Sequence, residues 1–269
     1  KAGLDYRHVL ASNQGLVGHT ILIGSFAQLR TGTLGSVGTF AAEPMTIATR
    51  NWSLFVQDAW AVRPGLTVTY GLRWDANTAP VSVSEGKPLR VIDGIFDDGP
   101  VRLAPVGTSL WQTRYDNVAP RLGATWALTP ATVVRGGAGL TYDLGYGGML
   151  GNLIQGFPYN RALATVAAGQ PYDLQSPVFD TPPEPTTLGA GTRGTPVAFD
   201  PALVLPRTWQ WHTAIERQLG AHHTVTVSYV GARGQDLLRP DLVRKPLATG
   251  QPGVAVMATR NAGRSRYDA

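Results

Sequence analysis

The chain has 269 residues, with 32 Gly, 20 Pro, no Cys and 15% charged residues. Its net charge of +5 is spread without a run of five basic residues, so nucleic-acid binding has no support. The missing cysteines exclude disulfides, Fe–S clusters, zinc–thiolate sites and thiol catalysis, and the 43% apolar fraction excludes full disorder.

Residues 1–10 alternate weakly, with Leu4, Tyr6 and His8 on one side. Residues 11–50 are rich in Gly, Thr and Ser and read as a long loop with a short strand near 20–26. Residues 51–62 form a predicted strand with Leu54, Val56, Trp60 and Val62 on one face. Asp58 interrupts that face, and a β-bulge is one way to re-aim it. Pro64 and Gly65 supply a tight turn. In 66–75, Leu66, Val68, Tyr70, Leu72 and Trp74 then alternate with Thr67, Thr69, Gly71, Arg73 and Asp75. Together the two strands read as a hairpin.

The unit returns twice. Residues 117–128 and 132–143 flank 129–131, and residues 207–219 and 223–231 flank 220–222. Between the hairpins lie 76–116 and 144–206, both rich in Pro and Gly. Patterned segments run to both ends, so the chain reads as an internal part of a longer molecule. No apolar stretch reaches the ~18 residues that a membrane-crossing helix needs.

Period-two alternation gives each strand one oily face and one wet face. A soluble sheet would bury the oily face in a core, and a membrane barrel would turn it to lipid. Loops this long sit poorly in a compact soluble domain. In an outer-membrane barrel they are expected, with short periplasmic turns and long extracellular loops. Tryptophan placement agrees. Trp60 and Trp126 precede short turns, whereas Trp52, Trp74, Trp209 and Trp211 lie at the opposite strand ends. Two aromatic bands of this kind form the girdles of such a barrel. The charged residues Arg73, Asp75, Arg121, Arg135, Asp143 and Glu216 fall opposite the apolar row. They are expected to line the lumen, pairing across strands or touching whatever fills the channel.

Enzyme signatures are missing. The glycines around 136–151 fit neither GxGxxG nor GxxxxGK[ST]. His222 and His223 share a turn without a third ligand nearby. No Ser sits in a GxSxG elbow, and Asp97 and Asp98 lie in a loop beside Gly. No catalytic residue, cofactor site or metal site is expected.

Several segments resemble a known family. "LFVQDAWAVRPGLTVTYGLRWD" at 54–75 is similar to barrel strands of TonB-dependent outer-membrane receptors, which often carry a VQD segment, a turn and a GLRxD strand. "NVAPRLGATWAL" with "VVRGGAGLTYD", "PRTWQWHTAIERQL" with "VTVSYVGARGQDLL", and "NAGRSRYDA" resemble the strands that follow, in order. Together they look like the Oar-like subgroup. The resemblance implies an all-β, antiparallel transmembrane barrel of 22 strands with a plugged lumen. This chain would supply seven to eight of those strands, with 1–269 as part of one barrel domain and the plug and TonB box outside it. The implied function is active uptake. A small ligand, oligosaccharide or peptide binds loops and plug, and the TonB complex then works on the plug. Lipid of a Gram-negative outer membrane would surround the wall. A passive porin, or a barrel that anchors an adhesion or secretion protein, shares the same strand pattern.

Overall fold

The computed structural model describes residues 1–143, 151, 153, 159–166, 188, 195–248 and 253–269. In chain order the elements are β1 (Ala2–Asn13), β2 (Leu16–Leu22), α1 (Phe26–Thr31), β3 (Ser36–Ala42), β4 (Met45–Arg63) and β5 (Leu66–Asn77). Next come β6 (Val81–Ser82), β7 (Ile92–Asp93), β8 (Arg102–Leu103), β9 (Arg114–Thr129), β10 (Thr132–Tyr142) and β11 (Asn160–Val166). The last are β12 (Val197–Phe199), β13 (Arg207–Leu219), β14 (His223–Arg244) and β15 (Ala255–Asp268).

One antiparallel wall dominates, in the order β1-β4-β5-β9-β10-β13-β14-β15, with short β12 added parallel to β15. All three predicted hairpins are present, and in the first and third the turn is tight because Gly65 and Gly220 adopt the left-handed φ values of 79° and 67° that a Cβ disfavours. Among the described residues the sheet is open, an arc of barrel wall. Its strands slope. One cross-strand row joins Arg63, Leu66, Trp126, Val134 and Ile215. β4 stops on that row, whereas β13 continues four residues further, to Leu219. Four residues at ~3.3 Å across four strand spacings of ~4.8 Å give a slope of about 35°. Membrane barrels have strands tilted by about that much.

The wall has no core of its own. A globular chain of 28.7 kDa exposes about 11,300 Å², whereas this one exposes 15778 Å². The excess arises where the sheet is one layer thick. From Leu54 to Arg63, every residue of β4 is exposed or half-buried on either face.

Burial resumes at the other end, among the long connections. One cluster joins Met45 and Ile47 of β4 to Leu89, Trp111, Tyr159, Phe199 and Leu203. A second joins Ile92, Val101, Leu188, Ala198, Leu247 and Val256. Trp111 is 2% exposed and meets Phe199 edge-on at 5.3 Å. The connection from β5 to β9 is therefore a packed cap carrying β6, β7 and β8. Most of 144–206 lies outside the described residues.

Two expectations change. Residues 11–50 are strand for much of their length. β2 pairs β3 in the same register that joins β1 to β4, so Ala2–Leu22 and the chain from Ser36 to Val56 form one long hairpin arm tipped by α1, with β11 added beside β3. β14 is also longer than the predicted 223–231, at 22 residues. An irregularity between Gly234 and Leu237 lets it run on, with Asp236 at φ 55°.

Candidate functional site

Register fixes which side chains share a face, because directly opposed residues point the same way. On the apolar face Leu54 opposes Trp74, Val56 opposes Leu72 and Trp60 opposes Val68. Val118, Leu122 and Trp126 continue the face on β9. The β4–β5 register is unbroken from Asn51 to Ala61, so no bulge re-aims Asp58. It stays in the apolar row, and the Tyr70 hydroxyl opposite donates to it at 3.3 Å. That contact answers part of the carboxylate's hydrogen-bonding demand where lipid would offer none.

The six tryptophans sit on this same face. Trp52 and Trp60 are eight residues apart, about 27 Å along the strand and about 22 Å of height at the observed slope. The apolar band of a membrane barrel is about 25 Å tall. Trp52 packs on Tyr6 with ring centroids 4.3 Å apart, and Trp74 Nε1 donates to the Tyr115 carbonyl at 2.6 Å. Trp126, beside a turn, lies under the Arg63 guanidinium at 5.2 Å. Trp209 is exposed and Trp211 half-buried, the latter lying over Gly231.

The opposite face is polar and networked. The Ser53 hydroxyl donates to Asp75 at 2.5 Å, and Arg73 donates to Asp75 at 2.9 Å and to Ser53 at 2.7 Å. Asn117 donates to the Asp75 carbonyl at 3.0 Å, and Arg73 comes within 3.9 Å of Asp5. The knot ties β1, β4, β5 and β9 near the capped end, where Ser53, Asp75 and Asn117 are buried. Further along the same face Arg135 of β10 pairs with Glu216 of β13 at 2.6 Å. Arg121 lies between these groups, beside a hollow of ≈ 620 Å³ that also touches Gln57, Gln210 and His212. Asp143 falls one residue past β10, where its amide donates to the Pro206 carbonyl.

Sequence reasoning found the arginines and acids of this face but missed Ser53 and Asn117. Both have the correct parity, and the signal was only that small polar residues oppose Asp75 on each side. Trp111 falls within the 76–116 connection, and nothing in the local pattern marks that connection as holding a core.

Near the cap, charge pairs shift acidities. The hydrogen bond from Arg114 holds the Asp116 carboxyl below its ordinary range. Arg239, then Arg260, does the same for Asp241. Burial pushes the Tyr159 phenol up to about 12, despite the Arg90 amide that donates to its oxygen. Among the described residues no group of three His, Cys, Asp or Glu side chains is placed to hold a metal ion.

Comparison with known proteins adds the family. No curated protein matches the sequence. Among solved structures the chain is similar to the siderophore receptor PirA from Pseudomonas aeruginosa, with 14% identity and a TM-score of 0.38. The likeness covers 87% of this chain and 42% of that receptor, so the chain spans less than half of the receptor's length. A family model described as an outer membrane beta barrel domain matches residues 4–268, nearly the whole sequence. The chain therefore belongs to the outer membrane beta barrel domain family, and its place is the outer membrane of a Gram-negative bacterium.

Proposed function

We propose that this chain is part of the barrel wall of a TonB-dependent receptor of the Oar-like kind, which takes up a ligand across the outer membrane without chemistry on it. One observation carries the reading. A sheet one layer thick has an aromatic-bordered apolar face, an ion-paired polar face and a folded cap on the long-connection side. In this reading the apolar face meets lipid, and Trp52, Trp60, Trp74, Trp126, Trp209 and Trp211 mark its borders. Arg73, Asp75, Arg121, Arg135, Asp143 and Glu216 face the lumen, where the protein's own plug would sit. The cap offers the first surface to an arriving solute, be it a small ligand, an oligosaccharide or a peptide. The strands contribute an inter-strand hydrogen-bond ladder of the kind that lipid demands.

The test uses the full-length protein in its membrane. Site-specific crosslinking should capture the periplasmic part of TonB, and capture should increase when the outer-membrane ligand is present. Steady ion conductance in a planar bilayer, with no TonB capture, would instead identify a passive porin. Lost cell attachment with neither property would identify a barrel that only anchors.

A further inference from the structure

Resting on the reading that the polar face lines the lumen, we propose that Arg121 is the centre of an anion-binding row on that wall. It would receive the carboxylate or phosphate of a solute in transit. The row follows from register. Gln57 on β4, Gly71 on β5, Arg121 on β9, Gly139 on β10 and Gln210 on β13 are successive cross-strand partners. The pattern is symmetric about the guanidinium. A residue without a side chain flanks it on each side, and a carboxamide follows on each side. At ~4.8 Å per strand, each amide lies about 10 Å from Arg121 along the row.

Three features make the row a binding surface rather than a solvated face. First, Arg121 is unpaired among the described residues. Arg73 is held by Asp75 and Arg135 by Glu216, but among the described residues Arg121 has neither an ion pair nor a side-chain hydrogen bond. The Gln57, Gln210 and His212 side chains likewise have no hydrogen-bond partner among the described residues. Second, the lining of the ≈ 620 Å³ hollow bears the Arg121 guanidinium, two carboxamides and an imidazole but no carboxylate, and Arg135, which also borders it, is already paired with Glu216. A donor-rich, acid-free hollow selects an acceptor with negative charge. Third, the flanking glycines make room for the arginine stem. A Cβ on Gly71 would come within 3.2 Å of Arg121 Cγ, and one on Gly139 within 3.4 Å of Arg121 Cβ. Arg121 is exposed, and a planar fork so exposed can grip two oxygens at once.

The experiment uses the full-length protein with Thr69→Cys, a lining residue in the neighbouring row, as its single reactive cysteine; this chain contributes none of its own. Labelling rates are compared for an anionic and a cationic methanethiosulfonate reagent. The anionic reagent should react faster, on the order of tenfold. Arg121→Gln should erase most of that preference, and Arg121→Lys should restore part of it. Citrate and inorganic phosphate, as probes, should slow labelling in the Arg121 protein and leave Arg121→Gln unaffected. An unchanged reagent preference in Arg121→Gln overturns the proposal, as does failure of both probes to protect. Failure of either reagent to reach Thr69→Cys in the folded protein overturns it too, since protein would then cover the row. Leu72→Cys on the other face separates the two readings. If it reacts with a lipid-soluble maleimide alone, the facing of the wall stands even when the anion row fails. If it reacts with the water-soluble reagents instead, the facing itself is wrong.

Discussion

Asp75 accepts hydrogen bonds from Ser53 and Arg73 in a place where its side chain is 5% exposed. Removing one partner from a buried charged network strands the other, at a cost on the order of 3 kcal/mol. Asp75→Ala in the full-length protein should therefore lower the urea midpoint in lipid clearly. The Arg135–Glu216 pair is half open to solvent, at 51% and 36% side-chain exposure. Glu216→Ala should cost below about 1 kcal/mol, because water screens exposed pairs. Equal losses in the two variants would refute the difference in burial. Tyr159 gives the chain an alkaline limit. Its phenol titrates near 12 when folded, against 10.0 ordinarily. Between pH 10 and 12 the unfolded chain sheds this proton and the folded chain keeps it. The stabilisation present below pH 10, about 2–3 kcal/mol, is thus lost as pH rises through that window. Cap unfolding followed by tryptophan fluorescence should show this loss, and Tyr159→Phe should remove that part of the pH dependence.

A strand in this wall is defined by two faces, and charge scanning reads them separately. Arg placed at Leu72 should cost about 2–4 kcal/mol of folding stability in lipid, the penalty for a cation on the hydrocarbon side. Arg placed at Thr69 should cost little. Folding yield into vesicles, measured by heat-dependent gel mobility, distinguishes the two. The hairpins were legible in the sequence because alternation broke at a Pro or a Gly around residues 63–65, 129–131 and 220–222. The arm above β1 was not. Its strand β2 carries Gly18, whose missing side chain is replaced by the ring of Phe40 from β3. A ring lent across strands leaves no mark in the local pattern. The extension of β14 was hidden likewise, since its irregularity at Asp236 is held by Arg207 at 3.0 Å and by Asn261. Both partners are remote in sequence. Of the polar face, the charged members were visible, but that Arg121 has no partner among the described residues was not. It depends on which residues stand opposite, and register supplies that.

At the scale of the whole molecule, stability is divided. The wall relies on lipid and on its ladder, whereas the cap relies on two apolar clusters. Phe199 is 2% exposed and touches Trp111, so Phe199→Ala should cost about 3–5 kcal/mol. The loss should fall on the cap. Protease added outside intact cells should cut the variant sooner, while heat-dependent gel mobility, which reports the wall, should be unchanged. Loss of both together would mean that cap and wall form one cooperative unit.

The arm formed by β1–β2 and β3–β4 keeps one register from Ala2↔Val56 up to Leu22↔Ser36, across a short gap in pairing where Gly15 takes a left-handed φ of 76°. It thus behaves as a graduated rule fixed to the bilayer. A residue inserted near Phe26 only lengthens the tip. A single residue inserted at Leu10 leaves no neutral answer, because the lower rungs must slip and would turn Leu4 and Tyr6 inward. Tolerance to added residues along the arm should therefore change abruptly at that gap, marking the height at which the outside world begins.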